Sequence, residues 1–269
     1  MSHKRTLVAI FAHPDDEAFG TGGTLTKYAQ QGVEVHLVTA TLGEAGQIAN
    51  PAVAPTRPLS LIREQELRRA CEKFGVTQLH LLGYVDGQTA MVPPAEAVLK
   101  LVRLLRRLKP QVVISFGPDG IYGHFDHLVI HRWASAAVEL AANPERWPEA
   151  GPAHPVAKFY HRAISQTQLT AMSGANGRAA VDMGGVPFPF VGQPEEKITT
   201  RIDVRAQAQT KLAGLKCHIS QLSPDALYLQ PDFDPSATDW FRQETFILAQ
   251  CNGVARPAQK EDDLFAGVA

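Results

Sequence analysis

The chain has little cysteine, no long apolar run and no excess of either charge, and each of these shortages excludes a class of protein. Only three of its 269 residues are cysteines, and Cys71, Cys217 and Cys251 stand far apart without paired spacing. We therefore expect reduced thiols, and neither a disulfide framework nor a thiolate metal site. The 26 basic and 27 acidic residues nearly cancel, which offers no broad basic surface to nucleic acid or to an anionic membrane.

Long apolar segments are also missing. No run approaches the roughly 18 apolar residues that a membrane span needs, and the run before His13 is too short for a secretory signal. The sequence also contains no internal repeat, low-complexity tract or inter-domain linker. We therefore expect a cytoplasmic protein that has no membrane span and no nucleic-acid partner, and a homo-oligomer is left open.

What the sequence does contain is a regular alternation of apolar strands and amphipathic helices. Runs such as 112–116 are typical of strands buried inside a parallel sheet. Alternation of this length indicates βαβ units with right-handed crossovers. We predict strands at 6–12, 33–40, 78–82, 112–116, 156–161 and 198–204. We predict helices from Gly20 to about Gln31, after His127 to about Ala142, and over about 59–74, 95–109, 205–221 and 236–251.

This pattern predicts a Rossmann-like α/β fold, with a mostly parallel sheet, helices on both faces and a metal site at the carboxyl ends of the strands. A single domain is expected over residues 1–269, with a C-terminal extension from about residue 205. The long segments 43–58 and 183–194 are interpreted as loops that cover or wall a pocket.

The residues that follow the first strand are unusually polar. The strand runs straight into Ala12-His13-Pro14-Asp15-Asp16-Glu17, at the end where open α/β sheets bind their ligands. Pro14 cannot extend the strand, so Asp15 begins a turn. In such a turn His13 and Asp16 face one way and Asp15 faces another, which gives two metal ligands and one free carboxylate. The competing interpretation is a polar loop in which Asp15 or Asp16 caps the next helix.

A second polar cluster follows the predicted strand at 112–116. There His124 and His127 stand three apart with Asp126 between them, at the start of a helix. A lone histidine is more often structural, but this cluster and the first one both lie beyond the carboxyl end of a strand. We therefore predict one shared metal site. Two imidazoles and one carboxylate form a known catalytic zinc set, with a fourth position for water.

The two motifs together resemble those of the LmbE-like/PIG-L family of zinc-dependent de-N-acetylases. The similarity continues along most of the chain, and it looks closest to the branch that removes acetate from a GlcNAc–inositol in the mycothiol pathway. The further stretches that carry the similarity are Thr41–Gly46, Arg63–Leu67, Leu82–Asp86 and His218–Gln221.

This resemblance implies a role for each residue of the metal site. The zinc ligands are His13, Asp16 and His127, with Fe(II) as an alternative ion in the cell. By the same resemblance, Asp15 is the general base and His124 aids the tetrahedral intermediate.

Further roles implied by the resemblance concern the surroundings of the ion. Asp126 orients His124, and Tyr122 matches a mobile tyrosine of the active site. Arg63 and Asp86 match residues that hold the sugar. His218 is assigned to the substrate as well, with a structural helix histidine as the alternative.

Two departures from the family pattern concern the substrate and leave the metal untouched. Phe125 stands where the family usually has a proline, and Gly20 stands where some relatives have a polar side chain near the substrate. Two other residues are given structural roles. His36 is interpreted as a strand histidine without chemistry, and Glu17 is expected to brace the loop.

The expected reaction is removal of the N-acetyl group from an N-acetylglucosamine-type acetamido sugar. Zinc lowers the pKa of a bound water from about 16 towards 7. Asp15 can accept the proton of that water and later pass it to the departing amine. Either His124 or the Tyr122 hydroxyl would stabilise the oxyanion, which is worth roughly 3–4 kcal/mol for a single donor.

Three other functions remain open from the sequence. One is an amidase that cleaves a larger amide, such as a mycothiol or bacillithiol S-conjugate. Another is a non-haem Fe(II) oxygenase, because this class uses the same two histidines and one carboxylate. The third is a metal-binding protein without catalysis. Neither of the last two needs a spare carboxylate such as Asp15 beside the ligands.

Overall fold

An eight-stranded sheet forms the centre of the computed structural model, which describes residues 4–53, 57–173 and 179–268. The strand order is β3-β2-β1-β4-β5-β10-β9, and β8 pairs with the end of β5. The strands are β1 Thr6–Phe11, β2 Glu34–Thr39, β3 Gln78–Leu81, β4 Val112–Phe116, β5 Lys158–Ser165, β6 Ala180–Met183, β7 Val186–Pro189, β8 Gly192–Gln193, β9 Thr200–Asp203 and β10 Gln243–Cys251.

Helices cover both faces of this sheet, as the sequence predicts. Helices α1, α2 and α7 pack together, and α3 packs against α5. Strands β1 to β5 pair in parallel, so the Rossmann-like, mostly parallel fold is confirmed. The helices are α1 Asp16–Gln30, α2 Leu59–Phe74, α3 Pro94–Leu108, α4 Gly120–Gly123, α5 Phe125–Ala141, α6 Gln166–Ser173, α7 Ala208–Leu215 and α8 Asp239–Arg242.

The first helix begins earlier than predicted. Helix α1 starts at Asp16 and not at Gly20, and its first turn contains Asp16 and Glu17. Negative side chains are favourable there because they face the positive end of the helix dipole. The last two residues of the predicted metal-binding motif therefore form part of the first turn of α1.

The predicted helix over 236–251 is wrong, because most of this segment is strand β10. It pairs with β5 on one side and with β9 on the other, antiparallel to both. Two neighbouring strands satisfy its backbone along its length, and such tertiary pairing overrides local propensity. Residues beyond 205, expected as a C-terminal extension, thus supply a strand in the interior of the sheet.

Two other predicted segments also differ in the structure. The loop predicted over 183–194 contains strands β7 and β8 and the turn that joins β6 to β7, where Gly184 and Gly185 have φ of 69° and 86°. Positive φ at both positions is the conformation of a tight two-residue hairpin turn. The helix predicted over 205–221 is limited to α7, with 3-10 turns on either side. In the predicted loop 43–58, residues 54–56 lie outside the described residues.

The strand order places a crevice between β1 and β4. The chain proceeds from β1 outwards to β2 and β3, and then returns to β4 on the other side of β1. Open α/β sheets bind ligands at such a reversal, beyond the carboxyl ends of the strands. Within the described residues, no helix has both the length and the apolarity needed to cross a membrane.

Candidate active site

Both polar motifs meet at this crevice. The loop after β1 contains His13 and leads into α1, while the segment after β4 contains His124 and leads into α5. The strands beneath are fully buried along β1 and β4, which gives the loops a rigid base. The structure therefore brings together side chains that are more than a hundred residues apart in sequence.

The turn between β1 and α1 has an unusual backbone. Asp15 has φ 107° and ψ −27°, a conformation that non-glycine residues rarely adopt. Its side chain makes no helix-capping hydrogen bond. Instead the carboxylate of Asp16 accepts the backbone N–H of His13 at 2.7 Å. The capping interpretation of Asp15 therefore does not hold, and the two carboxylates are turned apart.

Three donor atoms of the predicted ligands face one another. The Nε2 of His127 lies 3.3 Å from Nδ1 of His13 and 3.2 Å from Oδ1 of Asp16. The other oxygen of Asp16 lies 3.6 Å from Nδ1 of His13. Ligands at about 2.0–2.2 Å from a tetrahedral zinc ion are separated by roughly 3.3–3.5 Å. The two contacts of His127 have this spacing, whereas Asp16 reaches His13 through its other oxygen and at a longer distance, so zinc binding by His13, Asp16 and His127 stays a prediction.

The remaining nitrogen of each histidine is already hydrogen-bonded. Nδ1 of His127 lies 3.0 Å from the carbonyl oxygen of Gly120, and a carbonyl oxygen only accepts. Nε2 of His13 lies 3.0 Å from Asp86 Oδ1 and 3.2 Å from Asp126 Oδ2. These acceptors place the protons on the outer nitrogens and leave the inner lone pairs free, which is the usual arrangement for histidines that bind a metal.

Two other groups of possible ligands lie at the same place. His124 lies close enough to His13 and His127 to join them, and His13 also groups with Asp86 and Asp126. However, Nδ1 of His124 accepts the backbone N–H of Asp126 at 3.1 Å. The carboxylates of Asp86 and Asp126 are likewise occupied by backbone N–H donors. Asp16 also accepts a backbone N–H, so hydrogen bonding does not separate these two groups from the set of His13, Asp16 and His127, which is the set that the family resemblance implies.

Asp126 has a different contact from the one the sequence suggests. Its side chain does not orient His124 but binds the outer nitrogen of His13, the N–H of Gly87 at 2.8 Å and the hydroxyl of Thr89. The reason is local, because His124 caps α5 through the backbone N–H of Asp126. The carboxylate is thereby free to turn towards β1. Sequence reasoning missed Thr89, which no motif marks.

The charges around His13 determine its protonation in the absence of a cation. Burial lowers the pKa of His13, but its hydrogen bonds to Asp126, Asp16 and Asp86 outweigh burial and hold the pKa well above the usual 6.5. Burial raises the pKa of Asp16, but His127 and His13 hold it well below its usual value. The cluster thus favours positive charge at its centre, and a metal ion would replace a proton there.

Asp15 is separated from this cluster by its partner Arg63. The guanidinium donates to the Asp15 carboxylate at 3.1 Å and to the carbonyl oxygen of Gly43 at 2.9 Å, and it also bonds the carbonyl of Pro14. Burial raises the pKa of Asp15 to about 6, against the lowering effect of Arg63. A carboxyl group with such a pKa can exchange protons near neutral pH. Arg63 lies near the N-terminus of α2, where a cation opposes the helix dipole, and these contacts explain its presence there.

The residues predicted to bind a sugar are more enclosed than expected. Arg63 is only 3% exposed and Asp86 only 8% exposed. One oxygen of Asp86 faces His13, and the other accepts the N–H of Ala45 at 3.1 Å. His218 has no exposed surface, and its Nε2 bonds Glu17 at 2.6 Å. In this structure all three support the turn and the ligands from behind, so direct substrate contact by His218 requires it to move.

His124 and Tyr122 border the open side of the site. The His124 ring lies 4.7 Å from that of His13, and burial together with the neighbouring His13 lowers the pKa of His124 to about 4. Because its Nδ1 accepts a backbone N–H, its proton is on Nε2. Tyr122 lies 5.1 Å from the His127 ring, in a segment where Ile121 has φ 71°. Burial raises the pKa of Tyr122, so its hydroxyl stays protonated.

Fold and site together define an α/β protein with a candidate metal centre at the switch point of its sheet and a separate carboxylate beside that centre. Residues 8–138 match the family described as PIG-L, GlcNAc-PI de-N-acetylase. The chain is 34% identical over 297 residues to the 1D-myo-inositol 2-acetamido-2-deoxy-alpha-D-glucopyranoside deacetylase of Streptomyces avermitilis, with 98% of each chain covered. The chain belongs to the PIG-L family, and the resemblance seen in the motifs is confirmed.

Solved structures show the same fold in proteins of different chemistry. The N,N'-diacetylchitobiose deacetylase of Pyrococcus horikoshii has a TM-score of 0.66 and 21% identity, covering 91% of this chain and 84% of its own. GalB of Pseudomonas putida, a 4-carboxy-2-hydroxymuconate hydratase, has a TM-score of 0.63 and 16% identity, covering 94% and 100%. At such identities the likeness establishes only the fold, so function has to be argued from the site.

Proposed function

We propose that this protein is a zinc-dependent N-deacetylase that hydrolyses the acetamide of an N-acetylglucosamine conjugate. The observation that carries the proposal is the divergence of two adjacent carboxylates. Asp16 faces the two inner imidazole nitrogens, whereas Asp15 faces Arg63. A site that only bound a metal would have no use for the second carboxylate. The substrate class is supported by the relatives, which are named as deacetylases of a GlcNAc–inositol.

Zinc would be held by His13, Asp16 and His127, whose donor atoms have the separations described above. When bound, such an ion supplies a water of lowered pKa and polarises a carbonyl oxygen. Asp86 and Asp126 hold the outer nitrogen of His13. They keep its inner lone pair directed into the site.

Asp15 would move the proton in this reaction. Its carboxylate would accept a proton from the attacking water as a general base. It would then return that proton to the nitrogen of the departing amine as a general acid. Arg63 holds Asp15 in place by one hydrogen bond and fixes the loop around it by two more. The base is therefore oriented before the substrate binds, which avoids an entropic cost at the moment of reaction.

His124 would stabilise the charge that develops on the acetyl oxygen. Its Nε2 carries a proton because Nδ1 accepts the backbone N–H of Asp126. Burial and His13 lower the pKa of His124 to about 4, so the ring donates as a neutral imidazole at neutral pH. The Tyr122 hydroxyl is a second donor at the same border. Removing one such donor from an oxyanion site typically costs roughly 3–4 kcal/mol of transition-state stabilisation.

The test is acetate release from a panel of GlcNAc conjugates, with GlcNAc–inositol among them, by protein loaded with zinc, loaded with Fe(II) or stripped by a chelator. We expect release with GlcNAc–inositol, loss of release on chelation and recovery on adding zinc. Faster cleavage of thiol S-conjugates than of acetamido sugars would favour the amidase alternative. Turnover that required oxygen and a 2-oxoacid would favour the oxygenase, and metal binding without hydrolysis of any acetamide would refute catalysis.

A further inference from the structure

We propose that His218 and Glu17 are positioning residues that hold the backbone of Asp15 in its left-handed conformation. This inference rests on the proposed function, since it concerns how the base of that reaction is held. Neither residue touches the three metal-binding atoms. Both act through a hydrogen bond to the main chain of Asp15.

Asp15 needs such support because its conformation is intrinsically unfavourable. Its φ of 107° lies well outside the left-handed well near 50–70°. Backbone outliers of this kind persist only where the surroundings hold them, and they concentrate at functional sites. At Asp15 the outlier has a clear consequence, because it turns the Asp15 carboxylate away from Asp16 and towards Arg63.

Glu17 supplies the holding contact. One oxygen of its carboxylate accepts the N–H of Asp15 at 3.0 Å, and the other lies 2.6 Å from Nε2 of His218. A carboxylate accepts only, so Nε2 of His218 is the donor. Glu17 and His218 are both 0% exposed, and a charge-assisted hydrogen bond in such a place is strong and short. The orientation of Glu17 is thus set by a residue about two hundred positions away.

Helix α2 contributes a residue to each end of this series of hydrogen bonds. Beyond His218, the backbone N–H and hydroxyl of Ser220 bond the carboxylate of Glu66 at 2.8 and 2.7 Å. Glu66 lies one turn after Arg63 on α2, and Arg63 donates to the Asp15 carboxylate. Two series of contacts therefore connect Asp15 to α2. One fixes its main chain, and the other fixes its side chain.

The experiment compares H218L and H218Q with the wild type by kcat, KM and bound metal, with GlcNAc–inositol as the substrate. H218L keeps the size of the side chain but removes the donor, and H218Q restores a donor at nearly the same reach. We expect H218L to lose about 10- to 100-fold in kcat, the effect of a small misplacement of a catalytic group. Its KM should change less than about twofold, since substrate binding is not altered. H218Q should recover most of the kcat, and all variants should bind one metal ion.

A matched control shows whether a loss of kcat is specific to His218 or follows from replacing any partly buried histidine. H154L makes the same replacement as H218L at a half-buried histidine whose Nε2 bonds the carbonyl of Pro110, before β4 and away from the site. It should leave kcat unchanged. Where H218L does not fold, E17L removes both acceptors from the other side of the contact, and it should show the same loss of kcat. Wild-type kcat in folded H218L or E17L, or equal loss in H218Q and H218L, would overturn the inference.

A crystal structure of H218L distinguishes this inference from the proposed function. We expect Asp15 to leave the positive-φ region and its carboxylate to separate from Arg63. If Asp15 kept φ near 107°, the positioning role would be wrong whatever the activity. If Asp15 moved but the wild-type protein released no acetate from any GlcNAc conjugate, the positioning role would stand and the proposed function would be the part that failed.

Discussion

The carboxylates of Asp15 and Asp16, neighbours in the chain, point to different partners. Asp16 approaches Nε2 of His127 at 3.2 Å, whereas Asp15 lies 3.1 Å from the guanidinium of Arg63. The left-handed backbone of Asp15 produces this divergence. Metal binding and proton transfer are therefore assigned to separate residues, and substitutions should separate them.

Replacing Asp15 by Asn should abolish most activity and leave the metal in place. The amide has nearly the same shape but cannot take up a proton, and general-base catalysis contributes about 10²- to 10⁴-fold. Steady-state kinetics and metal analysis of the same preparation check this. D16N is the matched control, because it removes a negative charge from the adjacent ligand and should lose metal. Normal turnover by D15N would show that Asp15 is not the base.

Replacing His13 by Ala should remove the metal itself. This change deletes one of the two inner nitrogens that face each other at 3.3 Å, and an incomplete donor set binds zinc poorly. Equilibrium dialysis against zinc measures the loss. The same substitution at His36, which bonds His80 on β3, is the control and should retain metal. Full zinc occupancy in H13A would refute the donor set.

Replacing Asp126 by Ala should weaken metal binding about 10- to 100-fold, because the partners of metal-binding histidines contribute on that scale. The expectation follows from the contact of Asp126 with His13 at 3.2 Å. Zinc titration against a competing chelator measures it, with the exposed D225N as control. Unchanged affinity together with a lower kcat would instead support the role inferred from sequence, in which Asp126 serves His124.

Replacing Arg106 by Gln should destabilise the fold strongly. The buried guanidinium donates to the carbonyl oxygens of Leu140, Ala141, Asn143, Arg146, Trp147 and Gly151. Leaving several buried carbonyls without donors should cost about 3 kcal/mol or more. Urea unfolding measures this loss. R107Q, at the exposed neighbouring position, should change stability by less than about 0.5 kcal/mol, and equal effects of the two variants would contradict the assignment.

The pair His36 and His80 should make the fold sensitive to acid. Their facing nitrogens lie 3.2 Å apart. Burial lowers the pKa of His36, and burial with the nearby His36 lowers the pKa of His80 to about 4. In the unfolded chain these histidines bind protons below about pH 6.5, whereas in the folded protein His80 binds its proton only near pH 4. Stability from this source is complete above pH 6.5 and is lost as the pH falls to 4.

H80N removes one of these imidazoles and should flatten the decline. Urea midpoints of the wild type and H80N at pH 7 and pH 5 provide the measurement. The wild type should lose more stability than the variant over this interval. Other buried histidines contribute equally to both proteins and cancel in the comparison. Identical losses would show that the pair does not titrate as its environment indicates.

The positions of several strands and helices could be predicted from the sequence. Apolar runs and their spacing placed β1, β4 and α2 almost to the residue, because periodicity reports which face of an element is buried. The polar residues after β1 and β4 were sufficient to predict a shared site, since parallel strands present their carboxyl ends at one edge. His127 lies 3.3 Å from His13 and 3.2 Å from Asp16, and the assignment of these three residues as zinc ligands stays a prediction.

The partners of those residues were decided by the tertiary structure. Nothing in the spacing of 124–127 indicates that Asp126 turns to His13, because that choice depends on Gly87 and Thr89 from another loop. Similarly, β10 is a strand because β5 and β9 lie on either side of it. Sequence determines what a segment can do locally. Contacts between distant segments are cooperative, and they select which of those local options has the lowest free energy.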